Sequence, residues 1–291
     1  MNTLRQQMID IMTYRNFSPR THEVYLGWVI RLAKYYQRTP EKISEPEIEH
    51  WLMELVLKHH LAPASVRQAA NGITFLYQQV LKRDDFLMKI SLPKRPQKIP
   101  ALLTPAEVRQ IIQSSLNSKH YALLSLCYGC GLRLSELIGV QCDAIESTHL
   151  RLKVVQGKGK KDRIIPLPPS VLTILRAYWH HYRPVRYLFN GRYPGKPLSE
   201  SAPQRAYKAA KAKAGVTKPG GIHGLRHAFA THQLDAGMPI HQLKEILGHT
   251  DIKSTMRYLH WCPQTSGNNV DLLSDWPSRP IEEVPPCPSI F

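Results

Sequence analysis

The chain has 291 residues, 43% of them hydrophobic, which suffices for two domains with their own cores and excludes a disordered polymer. No stretch approaches the ~18 apolar residues of a membrane span, and the opening MNTLRQQMIDIM lacks the apolar centre of a secretory signal, so a cytoplasmic protein without a membrane partner is expected. The formal net charge is +17, and it is unevenly spread: residues 151–218 hold sixteen Lys and Arg against Asp162 and Glu200, while residues 219–291 are slightly acidic. That one-sided excess implies a polyanion, and a nucleic-acid duplex fits better than a membrane because no basic helix carries a wide apolar stripe.

The first 82 residues read as four helices. Leu4, Met8, Ile11 and Met12 mark the first; Trp28, Val29 and Leu32 mark a second beginning after Ser18 and Pro19. Ser44 with Glu47 forms a capping box for the third, striped by Ile48, Trp51, Leu52 and Leu55, and Val66, Ala69, Ala70, Ile73 and Tyr77 mark the fourth. Strand patterns are absent, so residues 1–83 make a small helical domain. Residues 84–103, with LPKRPQKIPALL, form a semi-rigid linker. Thr104, Pro105 and Glu107 then start a second domain sharply, expected to run to 262, with a tail over 263–291. The five cysteines are too few and too scattered for a disulfide framework, and Cys127 and Cys130, inside YALLSLCYGCGL, read as buried thiols.

Within the second domain, GCGLRLSELIGV sets Arg133 after a glycine-containing turn, with Ser135 as the cap of a short helix and Glu136 three residues beyond the arginine. LRLKVVQ and RIIPL flank GKGKKD and read as a hairpin. Residues 168–182 and 199–214 read as helices, the latter presenting Arg205, Lys208 and Lys211 along one edge as DNA-phosphate contacts. The fold class is therefore mainly α with a small β-sheet: a four-helix N-terminal domain and a mixed α+β second domain.

In HGLRHAFATHQLDAGMPIHQLKEILGHTDIKSTMRY, Leu225, Phe229 and Leu234 define one helix and Ile240, Leu243, Ile246 and Leu247 another, separated by Gly237 and Pro239. If the first begins by His223, that residue and Arg226 share a face, an imidazole beside a guanidinium fork suited to phosphate. Gly248 ends the second helix, His249 follows, and Thr250 or Asp251 caps a last short helix carrying Tyr258. Taken singly, His223 also reads as a capping or core histidine, Arg226 as a surface cation and Tyr258 as a core residue. A zinc pair of His223 and His227 is disfavoured, since the glutamate of H-E-x-x-H is missing.

Together, H-x-x-R at 223–226, L-G-H at 247–249 and the later Tyr258 resemble the C-terminal signature of the tyrosine recombinases, the integrase and Xer family. GLRLSEL then matches that family's first catalytic arginine, Arg133, with Glu136 at its supporting acidic position, and Lys158 matches the catalytic lysine of its hairpin, while Lys160, Lys161 and Arg163 fall among phosphate contacts. The resemblance implies that the helical domain clamps DNA as a core-binding domain. Tyr258 would be the nucleophile, Arg133 and Arg226 the phosphate clamp, His223 and His249 its partners, and Lys158 the general acid. The implied activity is cutting and rejoining of double-stranded DNA through a 3′-phosphotyrosine link, without metal, ATP or other cofactor. The protein would assemble as a tetramer on its recombination sites; accessory DNA-bending proteins are left open, as are integration, excision and resolution. A fold-retaining DNA-binding protein without catalysis and a type IB topoisomerase-like relaxing activity are the alternatives. The long insertion of integron integrases is not visible here. The tail's Val270, Leu272, Leu273 and Trp276 would dock on a neighbouring subunit or fold back on their own.

Overall fold

Helix starts are set by short polar side chains. In a computed structural model, which describes residues 3–86, 88, 90–92, 101–155, 162–191, 193 and 195–259, Thr3, Ser18, Thr104 and Asn117 each accept a first-turn backbone N–H from the helix that follows. Pro19, Pro63, Pro105 and Pro169 occupy first helical positions, where no N–H partner is lost. The described chain is mainly helical with one three-stranded sheet. It divides into two compact units, residues 1–98 and 99–291.

The first unit holds α1 (Leu4–Tyr14), α2 (Pro19–Tyr36), α3 (Glu45–Leu57) and α4 (Pro63–Thr74), the last continuing as a π-helical turn over Phe75–Val80. Glu47 accepts the Ser44 N–H, so the expected capping box opens α3. The stripes read from sequence meet in one core, where Trp28 and Trp51 pack edge to face with centroids 6.3 Å apart. Phe86, expected in the linker, is 1% exposed and stacks on Tyr77 at 4.5 Å. Leu103 at the linker's other end is buried in the second unit's core. Packing therefore reaches into both ends of the linker, because each end carries an apolar side chain.

The second unit contains α5 (Pro105–Gln113), α6 (Ser118–Gly129) and α7 (Leu134–Gly139), then β1 (Ile145–Glu146), β2 (Arg151–Val154) and β3 (Arg163–Pro166), then α8 (Pro169–Tyr182), α9 (Ser201–Lys213), α10 (His223–Asp235), α11 (Ile240–Leu247) and α12 (Lys253–Leu259). The sheet is antiparallel in the order β1-β2-β3, with buried Leu152 opposite buried Ile165. α6 packs against α5, α7, α8, α9 and α10, and its residues from Tyr121 to Gly129 are all buried. Cys127 and Cys130 are free thiols in that core, and burial pushes Cys127 up to about 12. One local expectation is corrected. α7 begins at Leu134 with Arg133 as its N-cap, and Ser135 lies inside the helix, because the Glu136 carboxylate accepts the Arg133 N–H at 2.8 Å and takes over the capping.

Candidate active site

Glu136 is the carboxylate on which the site is assembled. Its side chain is 2% exposed, a position where an anion survives only with charged partners. Arg133 donates through Nη1 at 2.7 Å, and Arg163 donates through Nη1 and Nη2 at 2.8 and 2.9 Å, a bidentate fork. Arg226 Nη1 lies 3.7 Å away. Burial pushes the Glu136 carboxyl up, but Arg163 and then Arg133 outweigh it and hold it at about 2. Three guanidiniums thus surround one carboxylate. The surplus positive charge, in a poorly screened place, is a seat for another anion.

Each arginine is also fixed by backbone. Arg226, on α10 and 1% exposed, donates from Nη1 to the Gly131 carbonyl and from Nη2 to the Leu247 carbonyl, both at 2.7 Å. Burial and neighbouring Arg133 lower its pKa to about 10, which leaves it charged at neutral pH. Arg133 Nη2 reaches the Gly248 carbonyl at 2.8 Å, and Arg163 Nε the Ile246 carbonyl at 2.9 Å. The end of α11 and the glycine that follows it are therefore gripped by all three. Gly248 has φ +60 there, and a Cβ would stand 2.9 Å from Arg163 Nη1; the glycine of L-G-H is demanded by both backbone and arginine. Gly131 has φ +58, and a Cβ would meet the Phe229 ring at 2.4 Å.

His249 follows that turn. Its Nε2 is 3.1 Å from Arg226 Nη2 and its Nδ1 is 2.8 Å from Thr255 Oγ1. Arginine can only donate, so Nε2 accepts, Nδ1 carries the proton and Thr255 receives it. His223 opens α10 with an exposed edge, but the protein around it, then Arg226 and Arg133, lower its pKa. Tyr258 on α12 is 4% exposed; burial raises its pKa, while Arg226, Arg133 and Arg257 pull it down. Its hydroxyl is 2.9 Å from His227 Nδ1.

Arg133, Glu136, Arg226 and His249 are thus joined in one hydrogen-bonded group, with His223 and Tyr258 within reach of its charge. Arg163, expected on DNA phosphate, instead turns its guanidinium inward to Glu136 and Ile246, because a buried carboxylate outcompetes solvent for it. Lys211 donates to the Lys218 carbonyl, while Arg205 and Lys208 lie exposed on α9. Lys158, Lys160 and Lys161 lie outside the described residues, as does the tail from 260. In the sequence His227 reads only as a disfavoured metal ligand; the packing of α12 on α10 is what brings it to Tyr258. Among the described residues no cluster suited to a metal and no helix fit to cross a membrane occurs. A cavity of about 390 Å³ beside α8, lined by Cys142, Leu172, Leu175 and Trp179 among others, shares no residue with this group.

A buried carboxylate that assembles arginines beside a tyrosine describes an anion-gripping site with a phenol close to it. Residues 101–264 match the Phage integrase family and residues 4–85 the Phage integrase N-terminal SAM-like domain. The protein y4qK of Sinorhizobium fredii, provisionally named an integrase/recombinase, is 37% identical over 260 residues, spanning 89% of this chain and 84% of that protein. A tyrosine recombinase of Pseudothermotoga lettingae is 30% identical over 285 residues, spanning 94% and 99%. Among solved structures, XerH bound to its difH substrate before cleavage aligns with a TM-score of 0.70 at 18% identity, over 89% of this chain and 82% of that one. A lambda integrase dimer bound to a COC′ core site gives 0.70 at 18%, over 86% and 91%. The likeness to these two structures concerns the fold. The chain belongs to the phage integrase family of tyrosine recombinases, a family of DNA recombinases.

Proposed function

We propose that this protein is a site-specific recombinase that cuts and rejoins double-stranded DNA through a 3′-phosphotyrosine intermediate. The observation that carries the reading is the Glu136 group, which gathers Arg133 and Arg226 from separate segments, close enough to Tyr258 for both to pull its pKa down. Strand cleavage needs an in-line nucleophile, neutralisation of the non-bridging oxygens and a proton for the leaving 5′ oxygen. Tyr258 supplies the first. Arg133 and Arg226 supply the second, at positions already fixed by carbonyls, so little reorganisation is needed when charge develops. His223 and His249 add hydrogen bonds to the same oxygens. Lys158 supplies the third by its match to the family's hairpin lysine; such a role is worth ~10²–10⁴-fold in rate. The phosphoester energy is conserved in the tyrosyl link, so rejoining by a 5′ hydroxyl needs neither metal nor ATP.

Residues 1–83 act as the DNA-clamping domain and 84–103 as the linker. Residues 104–262 form the catalytic domain, and residues 263–291 dock on the neighbouring subunit of a tetramer on DNA. Arg205 and Lys208 contact phosphates, and the work is done in the cytoplasm, where the DNA is. The test is to mix the protein with fragmented genomic DNA, denature in SDS and sequence the DNA ends left on protein. Wild type should give adducts at a defined sequence, and Tyr258→Phe should bind that sequence without adducts. Adducts from Tyr258→Phe, or none from wild type, would overturn the reading.

A further inference from the structure

We propose that His227 is the base for the nucleophile: its Nδ1 takes the hydroxyl proton of Tyr258 as the tyrosine attacks phosphorus, and returns it on rejoining. The inference rests on the reading of Tyr258 as nucleophile. Its ground is contact with the reacting atom, since Nδ1 stands 2.9 Å from the Tyr258 hydroxyl, an ordinary hydrogen-bond length. The His227 ring is also held. His223 packs edge-on against it at 4.6 Å and the Tyr258 ring lies 5.6 Å away. His249, by contrast, has both nitrogens engaged, with Arg226 and Thr255.

The direction of the bond follows from charge. Burial, then His223 and Arg226, hold the His227 pKa at about 4, so the ring is neutral at pH 7. The phenol is neutral too, since burial raises its pKa. A neutral imidazole with its proton on Nε2 accepts the phenol's hydrogen at Nδ1. The charged or titratable groups around the pair are His223 and Arg226 from α10, Arg133, His249, and Arg257 beside the tyrosine. A phosphodiester seated on the arginines brings the negative charge that offsets them, and imidazolium becomes accessible when substrate arrives. In the step, the Oη–H bond breaks and Nδ1–H forms, Oη–P forms and P–O5′ breaks. The 5′ oxygen takes its proton from the separate acid.

The experiment has two arms. In the free protein, ¹⁵N-histidine spectra should show His227 as the Nε2–H tautomer, with an Nδ1 resonance that moves in Tyr258→Phe; a proton on Nδ1 would overturn the proposal whatever the DNA chemistry. In single-turnover adduct formation on the duplex recovered by adduct capture, His227→Ala should bind normally and be slower by ~10²–10⁴-fold, with added imidazole restoring rate in proportion to its free base. His227→Asn keeps an acceptor near Nδ1 but cannot take a proton, so it should be equally slow. Wild-type rates in either variant, or a loss in His227→Ala that imidazole leaves untouched, would overturn the proposal. Absence of adducts in wild type would count against the recombinase reading itself, and the spectra would still decide the hydrogen bond.

Discussion

Replacing Glu136 by Gln keeps the shape of the side chain and removes the charge on which three arginines converge. The magnitude can be worked from the carboxyl's pKa, about 2 in the folded chain against an ordinary 4.5. A group with a depressed folded pKa contributes stability that is complete above 4.5 and lost as pH falls towards 2. The shift corresponds to about 3 kcal/mol at pH 7, between 2 and 3 at pH 4, and about 1 at pH 3. Removing one partner of a buried pair typically costs ~3–5 kcal/mol, so two routes agree on scale. Urea unfolding of wild type and Glu136→Gln at pH 7, 5, 4 and 3 should show a gap of about 3 kcal/mol that is flat down to pH 5 and then closes. A gap below about 1 kcal/mol at pH 7, within the ordinary range of exposed pairs, would refute the claim that this carboxylate organises the site. So would a gap that does not shrink by pH 3.

Gly248→Ala should lose about 1–2 kcal/mol from the left-handed backbone alone, plus the cost of displacing Arg163, read by denaturant unfolding; wild-type stability would contradict the turn geometry. Lys208→Ala should weaken DNA binding across sequences and reduce the salt slope by about 1 without affecting folding, whereas Arg163→Ala should lower the melting temperature markedly; the reverse pattern would return Arg163 to the phosphate. His232 donates from Nε2 to the Leu103 carbonyl and accepts from the Tyr128 hydroxyl at Nδ1, both at 2.9 Å, with its pKa lowered by burial. Its contribution should be complete above pH 6.5 and fall as the medium is acidified, and His232→Phe should flatten that part of the stability profile, measured by chemical denaturation between pH 7.5 and 5.

Much of the fold was legible because it rests on local chemistry. Thr104 with Glu107, Ser44 with Glu47 and Pro19 set helix starts that any neighbour must accept. α6 shows in the sequence only as apolar residues without a period: a helix buried on every side has no polar face. The two-residue β1 was invisible for the opposite reason, since it exists only by pairing with β2. At the site, residue types and order were readable from the resemblance, but their partners were not. Whether Arg163 meets a phosphate or a carboxylate depends on where Glu136 ends up, 27 positions away in sequence. The place of His227 depends on how α12 lies on α10, which no spacing within α10 encodes.

The arginine grip also orders events in time. Its pieces come from Gly131, Glu136, Arg163, Arg226 and the turn at 246–248, and the tyrosine follows at 258. In a chain emerging from the ribosome, the basic stretch 151–218 appears before the last of these pieces. Until the last of these segments has emerged and closed on Glu136, however, it has neither an assembled anion seat nor the tyrosine that stands beside it. On the proposed function, translation thus withholds strand cleavage until the residues for rejoining are in place.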